Sequence, residues 1–233
     1  MRRVLWAQEV SLDFRFGYPL TDSLGNGFMV YGDTLPGAAR HDMTSWLRAF
    51  PRQFVLGPGE QQTVRLTVRP QRELADGVYW TRLVTTSAPR APRVDSLAEG
   101  VAAQIVFRLE QITTVLFRQG EIAAVAGIGE PTVRIDSAQA AFLVPVRREG
   151  SAPLFAMLSL RVVDAGGRTV GEGRQGIAVY FDGIYTFALD RSALPAGEYS
   201  AEVTLSPERA DIPPAERIDF PPVTRRVGFR VTP

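Results

Sequence analysis

Apolar and polar residues alternate along this chain in short runs separated by glycine and proline. A period of two places one set of side chains on a buried sheet face and the other in solvent, so the pattern predicts strands. In the first half the runs are 10–16, 28–31, 63–69, 78–86 and 101–117. In the second half they are 133–136, 141–147, 155–164, 176–181, 184–189, 198–205 and 225–231. No stretch sustains a helical period, and 17 prolines with 21 glycines punctuate the chain. The fold class expected is all-β.

Turn chemistry separates the runs. Gly57-Pro58-Gly59-Glu60 links Phe54-Val55-Leu56 to the strand at 63, and Asp164-Ala165-Gly166-Gly167 suits a hairpin because glycine accepts a positive φ. Asp182-Gly183 predicts a second hairpin, and Gly25-Asn26-Gly27 reads as a turn. Segments 87–99 and 206–222 lack a period and read as loops. Segment 118–131, with Gly120, Gly127 and Gly129, reads as the junction between domains.

The string Leu-Ala-Asp-Gly-Val-Tyr-Trp at 74–80 returns as Leu-Pro-Ala-Gly-Glu-Tyr-Ser at 194–200, and Phe107-Arg108 returns as Phe229-Arg230. That spacing suits a duplicated immunoglobulin-like sandwich of roughly 100 residues. Two tandem domains are expected, at 9–119 and 131–233. The second runs strand A near Val133, strand B near Phe142, then Arg148-Glu149-Gly150-Ser151 into strand C at Phe155. The first opens directly on its strand C at 10–16, so its N-terminal strands are expected to be missing. The opening Met1-Arg2-Arg3-Val4-Leu5-Trp6-Ala7-Gln8 lacks the apolar stretch of a signal peptide, so a clipped or mis-started N-terminus is expected.

A formal net charge of +1 offers no field to recruit nucleic acid or an anionic membrane. No apolar run reaches the length of a transmembrane helix. The chain contains no lysine, so all 26 basic residues are arginine. Codon bias in a GC-rich genome accounts for this, and a small arginine face for carboxylates is the other reading. Zero cysteines excludes disulfides and thiol chemistry but is compatible with export.

Catalytic chemistry finds little support. His41, the single histidine, stands beside Asp42 and ahead of Ser45, but a triad is defined by geometry and no Gly-x-Ser-x-Gly elbow occurs. A surface or capping role is expected for His41, and no enzyme activity. Asp13, Asp22 and Asp33 are too scattered for a calcium loop, so neither metal nor cofactor is expected. Trp46, Phe54, Tyr79 and Trp80 are expected in the first core, with one of Tyr79 and Trp80 facing outward. Tyr199 is expected as a core or corner tyrosine of the second sandwich.

The run Thr-Ser-Trp-Leu-Arg-Ala-Phe-Pro-Arg-Gln-Phe-Val-Leu-Gly-Pro-Gly-Glu-Gln-Gln-Thr-Val-Arg-Leu at 44–66 resembles bacterial periplasmic chaperones of the pilus (PapD-like) type. Those proteins carry a proline before an apolar triplet, a Pro-Gly-Glu turn and a Val-Arg-Leu strand, and 74–80 is similar to their next strand. The resemblance covers about 10–117, while 132–233 is generically immunoglobulin-like. It implies a chaperone or assembly factor in the periplasm or at the cell surface. Its partners would be proteins, pilin-like or surface subunits, bound by lending the last strand of the first domain to complete their sheet. The residues implicated are Val101, Ala103, Ile105, Phe107 and Leu109, unless that face packs into the domain's own core. In the family, a strand A arginine and a lysine on the last strand hold the client's terminal carboxylate. This chain has neither, so Arg108 and Arg118 become the candidate carboxylate anchors, although neither matches the lysine position. The domain order also resembles Gram-positive surface proteins that interact with WxL proteins, which implies a structural or adhesive module instead.

Overall fold

The computed structural model describes residues 7–90 and 107–232. Their regular structure is 16 strands with four short 3-10 turns. The first eight strands are β1 (Gln8–Arg15), β2 (Gly17–Thr21), β3 (Gly27–Tyr31), β4 (Leu47–Phe50), β5 (Gln53–Leu56), β6 (Arg65–Val68), β7 (Gly77–Pro89) and β8 (Leu109–Gln119). The others are β9 (Ala124–Ile128), β10 (Thr132–Ile135), β11 (Gln139–Gly150), β12 (Leu154–Asp164), β13 (Thr169–Val179), β14 (Gly183–Asp190), β15 (Gly197–Ser206) and β16 (Val223–Val231). The fold is all-β, built from immunoglobulin-like sandwiches. No helix among the described residues is long and apolar enough to cross a membrane.

The chain forms two compact units. One gathers Met1–Gly17, Tyr31–Leu74 and Tyr79–Phe117, and the other Tyr18–Val30, Ala75–Val78 and Arg118–Pro233. Each contains a four-stranded sheet of the same topology, β5-β1-β7-β8 in the first and β13-β12-β15-β16 in the second. In both, the earliest strand is internal, its sequence successor within the sheet takes one edge, and the strand after the repeated turn lies on its other side.

The second unit faces that sheet with β10-β11-β14, and β9 also pairs with β11. Residues 118–131, expected to be a loose junction, therefore include a strand, with Val146 opposite Ile128 and Gly150 opposite Ala124. Alternate residues supply the core. Ala140, Phe142 and Val144 from one sheet meet Leu158, Leu160, Ala201 and Val203 from the other, all essentially inaccessible. Each large apolar side chain so buried contributes about 1.5–3 kcal/mol. Tyr199 donates its hydroxyl hydrogen bond to the Pro195 carbonyl at 2.7 Å, a tyrosine corner at the start of β15. The hairpin β2–β3 belongs largely to this unit. Tyr18 is fully buried with its ring 4.7 Å from Phe181, and the Thr21 hydroxyl accepts the Ile184 N–H at 2.8 Å.

Two turn expectations resolve differently. Asp164 closes the β12–β13 hairpin, with Gly167 at φ 79°. Asp182-Gly183 closes no hairpin, because β13 pairs with β12 while β14 pairs with β11. It carries the chain from one sheet to the other.

In the first unit, β4 and β6 form a two-stranded sheet. Met43, Trp46, Leu47 and Tyr79 form a buried cluster, joined by Phe14, Leu74, Val115 and Phe117. Tyr79 and Trp80 are both buried, so neither member of the pair faces solvent. The reason is His41, which is 6% exposed rather than at the surface and stacks on Trp80 at 4.4 Å. The loop carrying His41 covers the strand face that alternation assigns to solvent. Asp42 accepts the Thr44 backbone N–H at 2.7 Å.

Candidate functional site

β8 lies at one edge of the sheet β5-β1-β7-β8, and its side chains alternate between two faces. On one face, Val115 and Phe117 pack into the Met43–Trp46–Leu47–Tyr79 cluster, with Phe117 edge-on to Trp46 at 5.9 Å. On the other, Thr114 bonds the guanidinium of Arg82. Arg82 is 5% exposed and also donates from Nε to the Gly17 carbonyl at 3.0 Å. Burying a guanidinium is unfavourable unless its donors are satisfied; Thr114 of β8 and Gly17 of β2 satisfy two of them here.

The N-terminal half is different. Positions 109 to 114 are all exposed. Leu109 retains 66% of its surface, and Phe107, immediately ahead of the strand, retains 79%. Among the described residues the strand expected over 101–117 begins at Leu109, with Phe107 and Arg108 outside it. Val101, Ala103 and Ile105 lie outside the described residues.

Arg108 lines two adjoining concavities on this sheet. One, of about 480 Å³, is walled by Glu9, Val10, Phe54, Val55, Thr86 and Ala88. The other, of about 660 Å³, is walled by Asp13, Arg15, Arg52, Gln53 and Glu110. Its arginines are engaged: Arg52 pairs with Asp13 at 2.6 Å, and Arg15 with Asp13 at 3.5 Å and Glu110 at 3.9 Å. Arg108 has no ion pair among the described residues. A guanidinium with open donors beside apolar Val10 and Phe54 suits a carboxylate on an apolar chain end. Arg118, the other candidate anchor, lies in the second unit and donates to the Glu216 carbonyl.

Phe107, Arg108 and Leu109 are neighbours in sequence, and Arg118 belongs to the second unit. Sequence reasoning missed Arg82 and the Arg52–Asp13 pair. The available signal for Arg82 was its place inside the apolar run from Val78 to Val84, where a solvent-facing arginine would break the pattern of buried neighbours.

No family model matches the chain, and no curated protein matches it. Among solved structures it is similar to the class 5 fimbriae chaperone CfaA, at 11% identity over 99% of this chain and 89% of that one, with a TM-score of 0.34.

Proposed function

We propose that the chain is a non-catalytic chaperone or assembly factor, acting in the periplasm or at the cell surface, that binds protein subunits by strand augmentation. The observation that carries this reading is an edge strand anchored at one end and bare at the other. Phe107 and Leu109 stand exposed beside Arg108, whose guanidinium is open to a carboxylate. The ladder of β8 would supply backbone hydrogen bonds to a client sheet. Phe107 and Leu109 would fill its groove, and Arg108 would hold a carboxylate. The resemblance of residues 44–66 and 74–80 to pilus chaperones points the same way, and under it residues 9–119 act as the binding domain and 131–233 as its companion.

The test is co-purification of partners from envelope extract, with wild type beside Phe107→Arg/Leu109→Asp and Arg108→Glu. Capture of a defined subunit should fall at least tenfold in the double variant and several-fold in Arg108→Glu. Equal capture by all three proteins would defeat strand donation. A second reading, a structural surface module, is favoured by the second unit's ion-paired strand rows, Arg226 with Glu202 at 2.5 Å and Arg230 with Glu198. It expects no subunit to co-purify with any of the proteins.

A further inference from the structure

The outer face of the sheet β13-β12-β15-β16 carries two adjacent polar rows. In one, Glu172, Arg161, Glu202 and Arg226 stand opposite one another across the four strands. In the next, Arg174, Ser159, Thr204 and Thr224 do the same. A concavity of about 400 Å³ is lined by Ser159, Arg161, Glu172, Arg174, Glu202 and Thr204 of these rows.

The arginines of this face divide into two kinds. Arg226 is paired with Glu202 at 2.5 Å and Arg230 with Glu198. Arg161 gives its Nε to the Thr169 hydroxyl at 3.0 Å, and Arg174 makes no hydrogen bond or ion pair among the described residues. The two arginines without a carboxylate partner are thus the two that line the concavity. They are diagonal neighbours on the β12–β13 ladder, a separation that long side chains bridge. Two guanidiniums with open donors in reach of one group select an anion, and a planar carboxylate fits their fork.

The carboxylates decide which anion. Glu172 has no ion-pair partner among the described residues, and Glu202 is already shared with Arg226. A compact dianion such as phosphate is repelled by both, whereas hydroxyl groups can donate to Glu172. Ser159 donates to the Thr204 carbonyl at 3.3 Å, which leaves its oxygen lone pairs to accept. The lining therefore offers donors for one negative charge and acceptors for hydroxyls around it.

We propose that this face binds an acidic sugar, a uronate carried on a glycan chain. Arg174 and Arg161 hold its carboxylate, and its hydroxyls donate to Glu172 and Ser159. The site lies in the second unit, goes beyond the strand-augmentation reading and does not depend on it.

The probe is tetragalacturonate, titrated into the full chain by calorimetry, beside its carboxyl-reduced neutral form and inorganic phosphate. Saturable binding is expected, with the neutral form about tenfold weaker or more. Phosphate at equal concentration and ionic strength should not displace the sugar. Arg174→Gln should weaken binding about tenfold or more and Arg161→Gln several-fold, with circular dichroism confirming that each variant is folded. Arg134→Gln removes the same charge from an exposed position of β10 and should change binding less than about twofold. Phe107→Arg/Leu109→Asp should bind the sugar as wild type does, so this site and strand donation are read separately. The proposal is overturned if binding does not saturate or if the neutral form binds as tightly. Displacement by phosphate also overturns it, because the site then takes a simple anion. Equal losses in Arg134→Gln and Arg174→Gln overturn it as well, because only non-specific charge attraction is then at work.

Discussion

Asp164 shows how a single half-buried side chain fixes a turn. Its carboxylate accepts the backbone N–H groups of Gly166 and Arg168, each at 3.0 Å, and the Arg168 Nε at 3.1 Å. The Arg168 backbone N–H is the main cause that holds its pKa below the ordinary carboxylate value. Asp22 is lowered first by the Asn26 side chain and Asp190 by the Ser192 hydroxyl, each helped by backbone N–H groups, and Asp136 by the Gln139 backbone N–H. A depressed folded-state pKa gives stability that is present above the unfolded value near 3.9 and lost as pH falls through the folded one. The melting temperature should therefore drop between about pH 5 and pH 2. Asp164→Asn should remove part of that drop, and a variant curve parallel to wild type would exclude the linkage. Asp164 was legible as a turn residue because its chemistry is local. His41 was not: what buries it is the ring of Trp80, and no property of the histidine's sequence neighbours announces that contact.

At the scale of elements, β13 is the instructive case. The sequence expectation began this strand at 176, whereas the strand starts at Thr169 and runs through Gly171 and Gly173. Both glycines sit where the opposite sheet presses closest. A Cβ at Gly171 would stand 2.4 Å from Leu189, and one at Gly173 2.7 Å from Phe187. Glycine here marks close approach rather than a break. Gly173→Val should cost about 1–3 kcal/mol through overpacking, measured by denaturant unfolding. An unchanged midpoint would mean that Phe187 moves aside freely. Among the strands that alternation found, β1, β12 and β15 each set one face in a core. β4 and β9 were not found, although β3, β6 and β10, equally short, were.

For the whole molecule, the legible feature was duplication. The repeated turn at 74–80 and 194–200 precedes equivalent strands, β7 and β15, in sheets of one topology. The strand-donor region was legible only in part, since exposure of Phe107 and Leu109 depends on which neighbours cover them. What no local pattern could disclose is that Tyr18–Val30 belongs with the second unit. A fragment spanning 118–233 therefore lacks part of its own packing. Without Tyr18 against Phe181, the loss is about 3–5 kcal/mol, the scale for deleting a large buried aromatic. Its melting temperature should lie on the order of 10–20 °C below that of the same unit in the full chain, by calorimetry. Equal values would show that the hairpin adds nothing.

All three tryptophans of the chain fall within its first 80 residues, and Trp46 and Trp80 are buried in the first unit. Emission of the Trp46 and Trp80 indoles consequently reports on that unit. Tyr180, Tyr185 and Tyr199 belong to the other. A shift of that emission on heating thus marks loosening around two side chains of one unit without a label.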